Sequence, residues 1–490
     1  MNYRSISFIL GWILIIEGIF LTLPLITALV YREAQVYSFL LSILICLAVG
    51  IVLIFLRPKK LVFNVREGFA TVALSWIIMS LFGCLPFIFG GDIPNFTDAL
   101  FETVSGFTTT GASILSNVEA MSYSCIFWRS FTHWIGGMGA LVFLLAVIPI
   151  VSRGESQGGH MNLMKAESPG PVVSKLVPKV KSTALILYII YFVLTVIEFI
   201  ILLICRMPVF DAITITFGTA GTGGFGIKNT SIADYSPAIQ WVVTIFMALF
   251  GVNFNAFFFL IMRKFKAFFT MAEVKCYFGI IATAIIIIML NAYNTALTFE
   301  ENLRHVAFQV SSLITTTGYS TTDFNLWPSA SKAVLIMIMF VGACAGSTGG
   351  GIKVSRFIIL FKSIKNQMLM FLHPGTVRKI KMDDKVVEHS VIRSVNVFFI
   401  TYVVLFAASV FVVSFDNHNF ETNFTAVLAA TSNIGPGLAD VGPVENFGFF
   451  SPLSKYVLMF DMLAGRLELY PIILLFYYRT WKGGTIKKDA

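Results

Sequence analysis

The chain has 490 residues, of which 57% are hydrophobic and only 12% charged, and it carries a net charge of +9. Soluble domains hold about 25% charged residues, and no water-soluble core of this length would absorb the surface of 49 phenylalanines. Nucleic acid is excluded as the reason for the positive charge, because the basic residues gather in alternate loops, as they do in membrane proteins.

Apolar runs of roughly 20 residues, each able to cross a bilayer, recur along the chain. In order, ten spans are expected near 7–30, 36–56, 67–90, 125–152, 182–206, 237–262, 269–291, 332–371, 389–415 and 452–478. The first run comes after Arg4 without an A-x-A cleavage site, so it is expected to stay as the first helix. Basic clusters mark the expected cytoplasmic faces. They are Arg57, Lys59, Lys60 and Arg66; Arg153, Lys165, Lys175, Lys179 and Lys181; Arg263, Lys264, Lys266 and Lys275; the stretch Lys353 to Arg393; and Arg479, Lys482, Lys487 and Lys488. An even number of spans puts both termini on that side.

Between the spans lie four shorter, half-apolar stretches, near 97–110, 209–222, 303–317 and 420–434. Each is too short to cross, ends in a glycine-containing polar block and reads as a re-entrant piece. From about residue 67 onward the chain therefore reads as span, re-entrant piece, span, four times over. The spacing supports a repeat. Asp98 stands 13 residues before Gly111, and Asp211 stands 13 before Gly224. The strings "FTDALFETVSGFTTTGAS" and "VFDAITITFGTAGTGGFG" align on these residues; "TTTGYS" shares TTTG with the first, and "AVLAATSNIGPG" has drifted most. The key glycines, Gly111, Gly224, Gly318 and Gly435, recur at intervals of 94 to 117 residues.

Backbone carbonyls at membrane depth must be paired, buried in protein or turned to a water-filled cavity. Four loops facing one axis meet that demand, and rings of carbonyls can replace the hydration shell of a potassium-sized cation. Glycine accepts the backbone angles such a loop needs. Threonine hydroxyls can add a layer of oxygens at the inner end. The short helices before the loops would aim their partially negative ends at the ion. No acidic residue lies within the glycine blocks, which argues against a carboxylate ring for a divalent ion. Any one block alone also reads as a glycine-threonine turn.

Other features stand out. Five glycines between Gly342 and Gly351, in "GACAGSTGGGIK", interrupt the run 332–371. Each costs a helix about 1 kcal/mol against alanine, so a broken helix with an unwound middle is expected; close helix packing through small residues is the alternative. Arg466 sits inside the last span, five residues after Asp461 and two before Glu468. An intramembrane charge is usually functional, although a buried ion pair with either acid would also account for it. Arg129 and His133 read as braces for the first loop or its helix. Asp98 and Asp211 read as N-caps or dipole partners of short helices. Cys46, Cys84, Cys125, Cys205, Cys276 and Cys344 read as small core hydrophobes, with no CxxC pair. The chain contains no HExxH, GxSxG or Walker motif, so no enzyme and no organic cofactor are expected, and "GSTGGGIK" lacks phosphate-loop spacing. The competing reading is a secondary transporter of another solute, coupled to protons or sodium. It calls for midplane carboxylates, and only Asp461 and Glu468 stand out as intramembrane acids. A membrane scaffold would not need four glycine loops.

Taken together, "TTTGAS" (Thr108–Ser113), "WRSFTHWIGGMG" (Trp128–Gly139), "GTGGF" (Gly221–Phe225), "TTTGYS" (Thr315–Ser320), "GACAGSTGGGIKVSR" (Gly342–Arg356) and "SNIGPG" (Ser432–Gly437) resemble the Trk/Ktr/HKT superfamily of potassium transporters. The two extra N-terminal spans are most similar to its TrkH-type branch. The resemblance implies an all-α membrane protein with four membrane–pore–membrane repeats in pseudo-fourfold arrangement, after two N-terminal helices. The parts would be residues 1–62, then repeats at 63–165, 166–266, 267–380 and 381–490. It implies potassium as the transported ion and a filter of Thr109, Thr110 and Gly111; Thr222, Gly223 and Gly224; Thr316, Thr317 and Gly318; and Asn433, Ile434 and Gly435. A serine at the first filter glycine goes with sodium preference in the plant branch, and Gly111 stands there in this chain. The departures in loops two and four imply weaker discrimination than an identical fourfold ring. The resemblance further implies a gate made of Gly346, Ser347, Thr348, Gly349, Gly350 and Gly351 opposite Arg466. Its expected setting is the lipid of a bacterial inner membrane, with both termini cytoplasmic. Its expected partners are a second copy in a homodimer, each protomer with its own pore, and a cytoplasmic nucleotide-binding regulatory subunit of TrkA-like type.

Overall fold

Where glycine, proline and polar caps fall decides where these apolar helices stop. The computed structural model describes residues 1–56, 65–137, 139, 180–373, 379–383 and 385–481. Six described helices are long and apolar enough to cross a membrane: Tyr3–Tyr31, Val36–Phe55, Arg66–Gly90, Leu185–Ile204, Ala272–Asn291 and His389–Asp416. The expected span at 125–152 is described as the helix Tyr123–Gly137, and residues 140–152 of it lie outside the described residues. Also outside them are Arg57, Lys59, Lys60, Arg153, Lys165, Lys175, Lys179, Lys482, Lys487 and Lys488.

Three of the expected spans are broken, and two of these were expected to be continuous. Within 237–262, the helices Pro237–Phe250 and Phe254–Ile261 meet at 95°, and the Asn253 side chain caps the second by accepting the Asn255 N–H. Within 332–371, Ser329–Phe340 and Val354–Leu372 are separated by the glycine-rich stretch, as its composition predicted. Within 452–478, Pro452–Arg466 gives way to Tyr470–Phe476. Glu468 and Leu469 both take positive φ there, at 55° and 69°, and proline stands in the first turn of the second helix.

The four re-entrant pieces are short helices of 12, 13, 16 and 13 residues: half-helix A (Phe96–Phe107), B (Val209–Gly221), C (Phe299–Ile314) and D (Phe420–Ser432). Asn95, Thr298 and Asn419 cap A, C and D through side-chain oxygens that accept first-turn N–H groups. This corrects the cap expectation for Asp98 and Asp211, which lie inside the first turn. Asp98 instead accepts from Lys455 at 2.6 Å, and Asp211 accepts from the Tyr235 hydroxyl at 2.8 Å. All four half-helices carry an acid in the first turn, which complements the positive end of the helix dipole. A small hairpin pairs Lys381–Met382 with Lys385–Val386.

The two N-terminal spanning helices touch at paired glycines. A Cβ on Gly11 would stand 2.7 Å from the Gly50 carbonyl oxygen, and one on Gly50 would stand 2.9 Å from that of Gly11. Gly50→Val is expected to destabilise the fold by about 1–3 kcal/mol through overpacking. Gly279→Ala, whose Cβ would meet nothing within 4 Å, is expected to be neutral or stabilising by up to about 1 kcal/mol. Thermal melting in detergent, read side by side for the two variants, checks this.

Candidate functional site

The four half-helices end in the same way. The N–H of Thr109 donates to Gly106 and that of Thr110 to Ser105; Thr222 and Gly223 donate to Thr219 and Gly218. Thr316 and Thr317 donate to Leu313 and Ser312, and Asn433 and Ile434 to Ala430 and Ala429. This is the Schellman cap, in which a residue just past the helix takes the left-handed conformation. Thr109, Thr222, Thr316 and Asn433 do so with φ of 55°, 55°, 59° and 55°. Glycine is the usual occupant of such a position. A β-branched residue there is strained, by about 1–2 kcal/mol, and such strain gathers at functional sites. Two residues later Gly111, Gly224, Gly318 and Gly435 return to positive φ, at 79°, 71°, 86° and 97°.

These loops close into a ring. A Cβ on Gly111 would collide with the carbonyl oxygen of Gly223, one on Gly224 with that of Thr317, and one on Gly318 with that of Ile434. On Gly435 it would lie 2.8 Å from the carbonyl oxygen of Thr110. Each loop thus abuts the next, and the fourth returns to the first. All four glycines also line one vestibule of about 130 Å³. The structure therefore brings together all twelve residues that the sequence singled out in the four loops.

The ring is braced from behind. Arg129 Nε lies 2.5 Å from the Glu102 carboxylate, and both side chains are buried. Glu102 also accepts the Ile114 N–H and the Ser113 hydroxyl, while Arg129 donates to the Gly226 carbonyl. One ion pair thereby ties half-helix A to the exits of the first and second loops. His133 stacks on Phe225 at 4.2 Å. The Tyr319 hydroxyl donates to Ile215 in half-helix B. Arg129 and His133 are braces, as their positions suggested.

At the other end of the loops lies the glycine-rich stretch. The Thr316 hydroxyl accepts the Gly350 N–H at 2.6 Å, and Gly349 and Gly350 pack against the carbonyls of Thr315 and Ser432. The break at 251–253 cradles this stretch: Cys344 N–H donates to Gly251, and Phe254 N–H to Gly346. Glu273 accepts from Ala345 N–H, Ser355 N–H and Asn253. The Lys353 ammonium donates to the Gly349 and Gly350 carbonyls. Arg466 donates to the Thr348, Gly136 and Gly137 carbonyls and to the Thr109 hydroxyl. The two acids nearest Arg466 in sequence are engaged elsewhere, Asp461 with Ser409 and Glu468 with Arg356.

The count of intramembrane acids needs correction. Besides Asp461, Glu17, Glu67, Glu102, Glu198 and Glu273 are buried in helices. Glu17 and Glu198 each stand alone in an apolar run, so only the packing reveals that they face inward. The six cysteines are free, four of them buried.

Removing one partner of a buried ion pair costs about 3–5 kcal/mol, because the other charge is left uncompensated. Arg129→Met is expected to lose stability on that scale, and Arg129→Met with Glu102→Gln to recover part of it. Detergent melting curves of the single and double variants check the order.

The cation transport family named TrkH matches residues 36–482 of the chain. The Trk system potassium uptake protein TrkH of Salmonella typhimurium is 35% identical over 98% of this chain and 100% of its own length. The protein of the same name from Escherichia coli K12 is 34% identical over the same shares. The crystal structure of the potassium transporter TrkH from Vibrio parahaemolyticus superposes with a TM-score of 0.85 at 29% identity, covering 98% of this chain and 100% of that one. The ring of four capped loops, the multi-pass helices and this full-length likeness together place the chain in the TrkH family of cation transport proteins.

Proposed function

We propose that the protein is the translocating subunit of a potassium uptake system and conducts the ion through the ring of four loops. The observation that carries this is the cyclic contact of each loop glycine with the carbonyl of the next loop. Such a ring presents Thr109, Thr110, Thr222, Gly223, Thr316, Thr317, Asn433 and Ile434 carbonyls to a dehydrated cation. The half-helices add their negative ends without a fixed carboxylate. The full-length relatives, named as potassium uptake proteins, support potassium as the ion.

Residues Gly346–Gly351 with Arg466 are proposed as the gate. Their hydrogen bonds to Thr316 and Thr109 set them against the inner end of the ring. The guanidinium would oppose a cation there. The reading extends to the five-part division at 62, 165, 266 and 380, to a homodimer, and to an inner-membrane setting with both termini cytoplasmic. The described basic residues Arg263, Lys264 and Lys266 are exposed and suit docking of a cytoplasmic nucleotide-binding regulator. The protein is read as a transporter and not as an enzyme.

A second reading, proton coupling, is favoured by Glu17, which is buried with neither carboxyl oxygen hydrogen-bonded among the described residues. Rubidium uptake into proteoliposomes separates the two. Uptake driven by membrane potential alone, and unaffected by collapsing a pH gradient, supports the channel-like reading. Uptake that tracks the pH gradient supports coupling, and no rubidium flux with the gate opened defeats the proposal.

Gly318→Ser is expected to lower the preference for rubidium over sodium by roughly tenfold, since a misplaced binding group costs up to about 10²-fold. Sodium competition against rubidium uptake reads this directly. Arg466→Ala is expected to raise flux by at least about tenfold at equal protein amount, because a unit charge a few ångströms away opposes a cation by ~2–4 kcal/mol at an effective dielectric of about 20. Equal or lower flux would sink the gate assignment.

A further inference from the structure

Loop two departs from the Thr–Thr–Gly order of loops one and three at one position. Gly223 stands where they have Thr110 and Thr317. In those loops the side chain is tied down: the hydroxyls of Thr110 and Thr317 each lie 2.8 Å from the hydroxyl of Thr108 or Thr315. Loop two has Gly221 at the position of Thr108 and Thr315, so neither half of that pair exists.

The missing volume is filled from another element. A Cβ on Gly223 would fall onto the imidazole of His133, 2.6 Å from Cδ2 and closer still to Cγ and Nδ1. A Cβ on Gly221 would meet the His133 backbone carbonyl. His133 is fully buried. Its Nδ1 accepts the Phe225 N–H at 3.5 Å, and its ring stacks on the Phe225 ring. The Arg129 guanidinium, held by Glu102, lies over that same Phe225 ring at 3.5 Å. The His133 Nε2 has no hydrogen-bond partner among the described residues, so packing and the Nδ1 contact set the ring's place.

We infer that His133 is a specificity-determining positioning residue, whose imidazole stands in for the absent threonine side chain and holds the Gly223 carbonyl in the ring. The inference rests on the proposed role of the four loops as an ion filter. It predicts a swap of volume between two helically remote positions. Removing the imidazole frees the Gly223 peptide, and adding a side chain at 223 needs the imidazole gone.

The test is rubidium uptake into proteoliposomes with sodium as competitor, for His133→Ala, Gly223→Thr, the double variant and Gly318→Ser. His133→Ala is expected to keep rubidium uptake while its preference over sodium falls about tenfold, on the scale that ångström misplacement gives. Gly223→Thr alone is expected to abolish uptake, and the double variant to regain uptake and most of the preference. If His133→Ala yields too little folded protein, His133→Gln carries the same expectation with a smaller fall. Wild-type preference in well-folded His133→Ala overturns the inference, as does a double variant no better than Gly223→Thr alone. If only this inference is wrong, Gly318→Ser still shifts the preference. If the filter role is wrong, Gly318→Ser leaves it unchanged as well.

Discussion

Everything in this molecule turns on how four helices are allowed to end inside a membrane. A helix terminus leaves carbonyls without partners, and lipid supplies none. Here the two N–H groups after each half-helix fold back to cap it. Those donors are consumed locally, and the carbonyls of Thr110, Gly223, Thr317 and Ile434 lie against the glycine of a neighbouring loop. The left-handed turn that makes this possible falls on threonine or asparagine, so the side chain is retained at the cost of strain. The surrounding helices then serve to hold four such ends at one level.

The retained side chains explain why the strain persists. The Thr109 and Thr316 hydroxyls accept hydrogen bonds from Arg466 and from the Gly350 backbone. A glycine in either place would relax the backbone and lose that contact. The inner end of the ring and the glycine-rich stretch below it thereby share atoms. Any movement of that stretch must break bonds to the ring itself, so the two are joined in free energy. The breaks in the neighbouring helices belong to the same arrangement. The bend at 251–253 presents backbone groups to the stretch 344–346, and Arg466 sits at the last residue of its helix.

Much of this was legible in the sequence because it rests on local chemistry. The half-helices announce themselves by length, and the loop glycines by spacing. The glycine-rich break is visible because five glycines cannot hold a helix. The breaks at 251–253 and 467–469 were not legible. One glycine, or a Leu-Tyr-Pro step, is common in membrane helices, and only tertiary contacts decide that the helix yields there. Glu17 and Glu198 were passed over for a related reason. A lone acid in an apolar run carries no periodicity, and its burial depends on partners distant in sequence. The sequence marked His133 as a brace, but its contact with Gly223 is 90 residues away along the chain.

A ring assembled from four copies of one chain can change only in fours. This ring is written once, in a single polypeptide, and each quarter can drift alone. Loop two has exchanged a threonine for a neighbour's imidazole, and loop four has exchanged one for Ile434. Because every glycine leans on the next loop's carbonyl, such a local exchange is still felt all the way round. If the ring is the ion filter proposed above, single-chain construction lets selection adjust its preference in small, graded steps, where a symmetric tetramer would have to take each step fourfold.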